Sequence, residues 1–282
     1  MTGVQTCALP ICLDRPLYEQ YLTFLWNFAH LNLGESFRSK IPAVELIMAR
    51  LPASLELALS AMVIALVVGV PCGMWAGLKP NSVSGRLVMG GSIVGFSLPT
   101  FWSGLVLIFI FAVQLHWLPS SGRGETVTVL GTRFSLFTLN GLSHLVLPAV
   151  TLSLFHTALI MRLTRAGMRE TLLQDYVKFA HAKGLTARRV LFVHVLRNMM
   201  IPVVTMLGLE FGGLVAFGVV TESIFAWPGM GKLLIDSIGV LDRPVIVAYV
   251  MLIVVMFIII NLIVDILYSV LDPRVRLQGA GK

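Results

Sequence analysis

Residues 175–198 read DYVKFAHAKGLTARRVLFVHVLRN, the longest strongly basic segment of a chain in which only 12% of residues are charged. Its pattern gives two short amphipathic helices bent at a glycine. Asp175 stands where a carboxylate caps a first helix that carries Tyr176, Phe179 and Ala180 on one face. Gly184 stops that helix, because glycine takes the left-handed conformation at a helix end without penalty. Thr186 is placed to cap a second helix, with Val190, Val193 and Leu196 spaced by three. A bent pair of this kind fits the groove of another protein. It equally fits a surface-lying loop whose basic residues sit among lipid headgroups.

Apolar runs flank this elbow at 143–163 and 199–220. Hydrophobic residues make up 57% of the chain, and the mean hydropathy of +0.88 excludes an ordinary soluble domain. Three further apolar runs lie at 57–78, at 91–117 (interrupted by Pro99) and at 245–270. Each is long enough to cross a hydrocarbon core of about 30 Å. The fold class expected is therefore all-α, a polytopic helical membrane protein. The net charge of +7 does not point to nucleic acid. The basic residues collect in particular loops, as membrane topology requires, and no basic helix interleaved with aromatics stands on a soluble body. Cys7, Cys12 and Cys72 have neither metal-ligand nor paired-disulfide spacing.

Alternating the loops from Lys79 and Arg86 as inside places Arg162, Arg165, Arg169 and the whole elbow on that side, with the Arg274–Arg276 tail. The C-terminus is then cytoplasmic and the N-terminus outside. Five spans leave no upstream helix to carry the N-terminus across, which points to a lost first span. Residues 1–11, MTGVQTCALPI, match the in-frame translation of a sequencing-library adapter and are expected to be a non-native scar. Residues 12–50, with Tyr18, Tyr21 and Trp26 among charges, are expected to form an extracytoplasmic segment. Residues 51–282 form the transmembrane domain, with the elbow at 172–198.

The block Ala180-His181-Ala182-Lys183-Gly184-Leu185, with His194-Val195-Leu196-Arg197-Asn198 ten residues on, resembles the coupling loop of bacterial ABC importer permeases. The likeness is to the dipeptide, oligopeptide, nickel and glutathione class. Lys178 and Phe179 stand where the general pattern has Glu and Ala, a variant usual in the peptide class. Two further islands support the resemblance. One is Thr221-Glu222-Ser223-Ile224-Phe225-Ala226-Trp227-Pro228-Gly229-Met230-Gly231, and the other is the DPRVR tail at 272–276. The resemblance implies a six-span core of which five are present. It implies that Asp175, Tyr176, Ala180, Ala182, Lys183, Gly184, Leu185, His194, Arg197 and Asn198 couple to a cytoplasmic ATPase. The partners implied are a second homologous permease, two ATPase subunits, an extracytoplasmic binding protein and the bilayer of the inner membrane.

No catalytic set is visible. Gly229-Met230-Gly231-Lys232 looks like part of a phosphate loop, but Ala226 and Leu233 stand where glycine and Ser/Thr are needed. No cofactor is expected on this chain, so ATP would be hydrolysed by partners. Glu210, near the centre of 199–220, is costly in lipid and reads as a pathway residue meeting an amine-bearing solute, or as a protonated carboxyl bonded between helices. Glu222, Trp227, Pro228 and Gly229 make a tight outer loop, either a lid or a solute contact. Gly208 and Gly212 suit close helix packing within the chain or at a seam with a second permease. Asn261 and Asp265 are expected to form structural hydrogen bonds. An ion-coupled secondary transporter carrying a proton on Glu210 is the alternative, although no inverted repeat is seen.

Overall fold

The computed structural model describes residues 16–129 and 131–271, and these are predominantly helical. The expected scar at 1–11 and the DPRVR tail lie outside the described residues. Two long helices form the spine. Helix α2 (Ala43–Leu78) and helix α5 (Leu139–Leu172) pack along most of their length. The reason is readable on α2: Gly69, Gly73 and Gly77 recur every fourth residue and meet Ile160, then Met161 and Thr164, then Met168 on α5. A side chain at any of these glycines would collide with α5, so the backbones approach as small-residue faces allow.

Three core layers stack along the spine. The elbow end buries Met168, Val177, Ala180, Val190, Val195 and Met199. A middle layer joins Ala65, Ile160 and Val203. At the opposite end, the cap end, Leu57, Ala61, Leu145, Trp227, Met230 and Tyr249 share the largest cluster, against which Phe24 and Phe28 of helix α1 (Leu17–Ala29) pack. Helix α2 is longer than the apolar run at 57–78 because its first turns, from Ala43, are held by this cap layer rather than by apolar continuity. It runs unbroken through position 50.

The run 91–117 is not one straight span. Helix α3 (Val83–Ser97) and helix α4 (Thr100–Leu107), which continues as a π-helix to Gln114, meet at 107°. Leu98 is extended (φ −81°, ψ 130°), the conformation that a following proline imposes by steric clash. Past the π-helix, a hairpin not foreseen from sequence pairs β1 (Val127–Val129) with β2 (Thr132–Phe134).

After α5 come α6 (Asp175–Ala182), α7 (Ala187–Arg189), a π-helix Val190–Val195 and α8 (Leu196–Phe217). Then α9 (Val219–Ile224) and α10 (Met230–Gly239) cover the cap end before α11 (Arg243–Leu271) returns. Three described helices are long and apolar enough to cross a membrane, or up to five if each bent pair is one span. Gly208 and Gly212 pack within the chain, against Val264 and Phe257 of α11. Asn261 departs from expectation, since its buried amide oxygen has no hydrogen-bond partner.

Candidate functional site

The elbow is where the sequence places the most candidate site residues, and the structure folds them into one bent surface. Gly184 has φ +77° with no atom near a would-be Cβ, so the turn depends on backbone conformation and not on crowding. Two details differ from expectation. Asp175 is the first residue of α6 and caps nothing; its exposed carboxylate pairs with Lys178 at 2.8 Å. That ammonium, through the hydrogen bond first and its charge second, holds the Asp175 carboxyl below its ordinary value. The second arm is not a separate short helix either. It starts after Thr186 and runs through the π-helix into α8.

The wider π turn, bonded i to i+5, buries Val190 and Val195 together and leaves Val193 exposed. On the first arm Val177 and Ala180 turn inward, while Tyr176 and Phe179 stay exposed. The Lys183 ammonium lies over the ring of Phe179, 4.6 Å from its centroid. Asn198 donates from Nδ2 to the Tyr176 hydroxyl oxygen at 2.7 Å and to the His194 carbonyl oxygen at 3.3 Å. This polar tie joins the two arms. The result is a bent surface with an apolar underside fixed to the spine and an aromatic, basic outer side.

Glu210 lies on α8 with its Oε2 3.3 Å from Nε2 of His156 on α5. His156 Nδ1 lies 3.3 Å from the Leu152 carbonyl oxygen, which can only accept. Nδ1 is then the donor, and contact between Nε2 and Oε2 requires one proton between them. The structure therefore gives Glu210 an interhelical partner that the sequence alone did not reveal.

At the cap end, the Trp-Pro-Gly loop is built around buried groups. Glu222 accepts from Ser54 Oγ at 2.6 Å and from the Lys232 backbone N–H at 3.0 Å, while Met230 N–H donates to Ser54 Oγ at 2.8 Å. The carboxylate thus satisfies the free N–H groups that open α10. Burial nonetheless pushes the Glu222 carboxyl above its ordinary value, against the opposing pull of these bonds. A Cβ at Gly229 would strike that carboxylate, and one at Gly231 would strike Val219 first, with the carboxylate just beyond. Trp227 is fully buried, its indole N–H donating to the Ala53 carbonyl oxygen at 2.8 Å. It is a keystone of the cap rather than an aromatic at its surface. Ala226 before it is held at φ +47°.

Sequence reasoning missed Glu56. Its buried carboxylate takes Arg123 Nε at 3.0 Å and Nη2 at 2.5 Å, and the backbone N–H groups of Ser135 and Leu136 at 2.6 and 2.9 Å. Arg123 also lies 5.7 Å from the Trp227 ring centroid. A charged residue amid the apolar sequence of α2 was the available signal.

A chain of apolar helices with a tied basic elbow and a keyed cap has the form of a transporter's membrane subunit. It belongs to the family of binding-protein-dependent transport system inner membrane components, whose pattern matches residues 69–277. It is 41% identical to the dipeptide transport system permease protein DppB of Escherichia coli K12, over 94% of this chain and 82% of that one. It is 44% identical to the di/tripeptide transport system permease protein DppB of Pseudomonas aeruginosa, over 94% and 83%. The glutathione transport system permease protein GsiC of E. coli O6:H1 is 39% identical, over 94% and 81%. The fold resembles a chain of the inward-facing MetNI methionine ABC transporter, with a TM-score of 0.63 at 15% identity over 80% of this chain and 96% of that one.

The chain is thus a multi-pass permease subunit of an ABC importer in the inner membrane, a transport component rather than an enzyme. Family membership decides against the ion-coupled alternative.

Proposed function

We propose that this subunit carries short peptides, or a closely related small solute, by alternating access driven from the elbow. The observation that carries the reading is the elbow's construction. Its underside is locked into the core layer of Met168, Val190, Val195 and Met199, so a push on Tyr176, Phe179 or Lys183 is transmitted to α5 and α8 together. Relatives named for dipeptide, di/tripeptide and glutathione transport support the solute class.

In this reading the elbow, residues 172–198, docks into a cytoplasmic ATPase, which places the C-terminus in the cytoplasm. A second homologous permease completes the route, two ATPase subunits hydrolyse ATP, and an extracytoplasmic binding protein delivers the solute to the cap end. The chain itself binds no cofactor. Residues 12–50 and the Trp-Pro-Gly loop, with Glu222, Trp227, Pro228 and Gly229, then face the binding protein's side. Glu210 lines the route. The test is uptake by proteoliposomes: import that requires the ATPases and ATP supports the reading, whereas import driven by an ion gradient alone refutes it.

A further inference from the structure

Glu210 ends a continuous series of contacts across three helices. Arg162 of α5 lies 4.1 Å from the ring centroid of Phe96 on α3. Phe96 stacks on Phe155 of α5 at 4.8 Å between centroids, and Phe155 meets the His156 ring edge-on at 5.3 Å. His156 then reaches Glu210. One end of the series carries a guanidinium and the other a carboxyl that shares a proton with an imidazole, with an aromatic floor between.

We propose that these ends grip the two termini of a short zwitterionic peptide in transit, Glu210 with His156 taking the ammonium and Arg162 on Phe96 taking the carboxylate. The proposal rests on the reading of this chain as a peptide permease and names the side chains that would hold the solute. Three observations carry it. First, the series stands away from the faces that the two other long helices cover: α2 lies on the side of α5 that bears Ile160, Met161 and Thr164, and α11 on the side of α8 that bears Gly208 and Gly212. Glu210 is two residues from each of those glycines, on the opposite side of its helix, and its side chain keeps 29% exposure in mid-helix. Phe96 is 41% exposed.

Second, Arg162 has capacity to spare, since its Nε is buried without a hydrogen-bond partner. An Arg fork over an aromatic ring is pre-organised for a planar carboxylate. Third, the length fits. Arg162 stands six positions after His156, a rise of about 9 Å along a helix, and an extended di- or tripeptide spans roughly 7–10 Å. An ammonium arriving at Glu210 takes the place of the proton shared with His156, which is released to water, so the charge at that end is unchanged.

The experiment uses the whole complex (both permeases, ATPases and binding protein) in proteoliposomes. The probes are dialanine, dialanine amide and N-acetyl dialanine, each at a concentration that saturates the binding protein. Dividing each variant's uptake by that of wild type, probe by probe, cancels the binding protein's own preference. Arg162→Gln is expected to lower dialanine uptake roughly tenfold, as for one lost charge-assisted bond, and to spare the amide. Arg162→Lys restores most of it. Glu210→Gln lowers dialanine and its amide and spares the acetylated peptide. Equal losses for all three probes would make Arg162 and Glu210 packing residues and overturn the proposal, as would dialanine uptake at the wild-type rate in both variants. ATP-independent import by wild type would instead defeat the importer reading.

Discussion

Glu56 shows how a single side chain organises one end of this protein. Its carboxylate collects Arg123 and two backbone N–H groups where no water reaches it. Removing one member of a buried pair strands the other, at about 3–5 kcal/mol. Glu56→Ala is therefore expected to lower the thermal unfolding midpoint in detergent sharply. Pairing it with Arg123→Met should recover only part of the loss, because the Ser135 and Leu136 N–H groups stay unanswered.

Glu222 makes a pH-dependent contribution of the opposite kind to a salt-bridged acid. Burial raises its affinity for a proton in the folded chain. Stability from this group is then full below the ordinary value of 4.5 and declines as pH rises through the raised folded value. Thermal melts of wild type and Glu222→Gln from acid to neutral pH check this: the wild-type midpoint should fall relative to the variant as pH rises, and parallel curves would contradict it.

Among the elements, the elbow was legible because its signals are local. Gly184 has the backbone conformation its sequence position implied, and the basic, aromatic exterior is there. Its second arm was misread because a spacing of three describes an α-helix, whereas the chain widens into a π turn over Val190–Val195. The 107° bend at Pro99 was written in the sequence as a proline within an apolar run. Hydropathy alone joined the two halves, since it counts apolar residues and not backbone direction.

The partners of Glu210, Glu56 and Glu222 were not legible, because His156, Arg123 and Ser54 are remote in sequence and only the tertiary fold unites them. The elbow yields two predictions at this scale. Gly184→Ala forces a left-handed non-glycine residue, a strain of about 1–2 kcal/mol, with no steric clash. The protein should fold, and ATP-driven uptake should fall severalfold. Tyr176→Phe removes the acceptor for Asn198 and should weaken ATPase co-purification without shifting the midpoint of the cap end.

For the whole molecule, the three core layers give a mechanical reading. The α2–α5 spine links the elbow layer to the cap layer, so motion imposed at one end reaches the other through two rigid helices packed glycine to side chain. Nothing in that path requires this chain to use ATP itself. The central claim is that the elbow is gripped by an ATP-hydrolysing neighbour and transmits its motion. The most direct test scrambles residues 175–189, purifies the assembled permease pair, and measures both retained ATPase subunits and ATP-driven solute uptake. Loss of both, with the membrane domain still folded, is the expected result; a scrambled elbow that keeps its ATPases and imports at the wild-type rate would contradict the account.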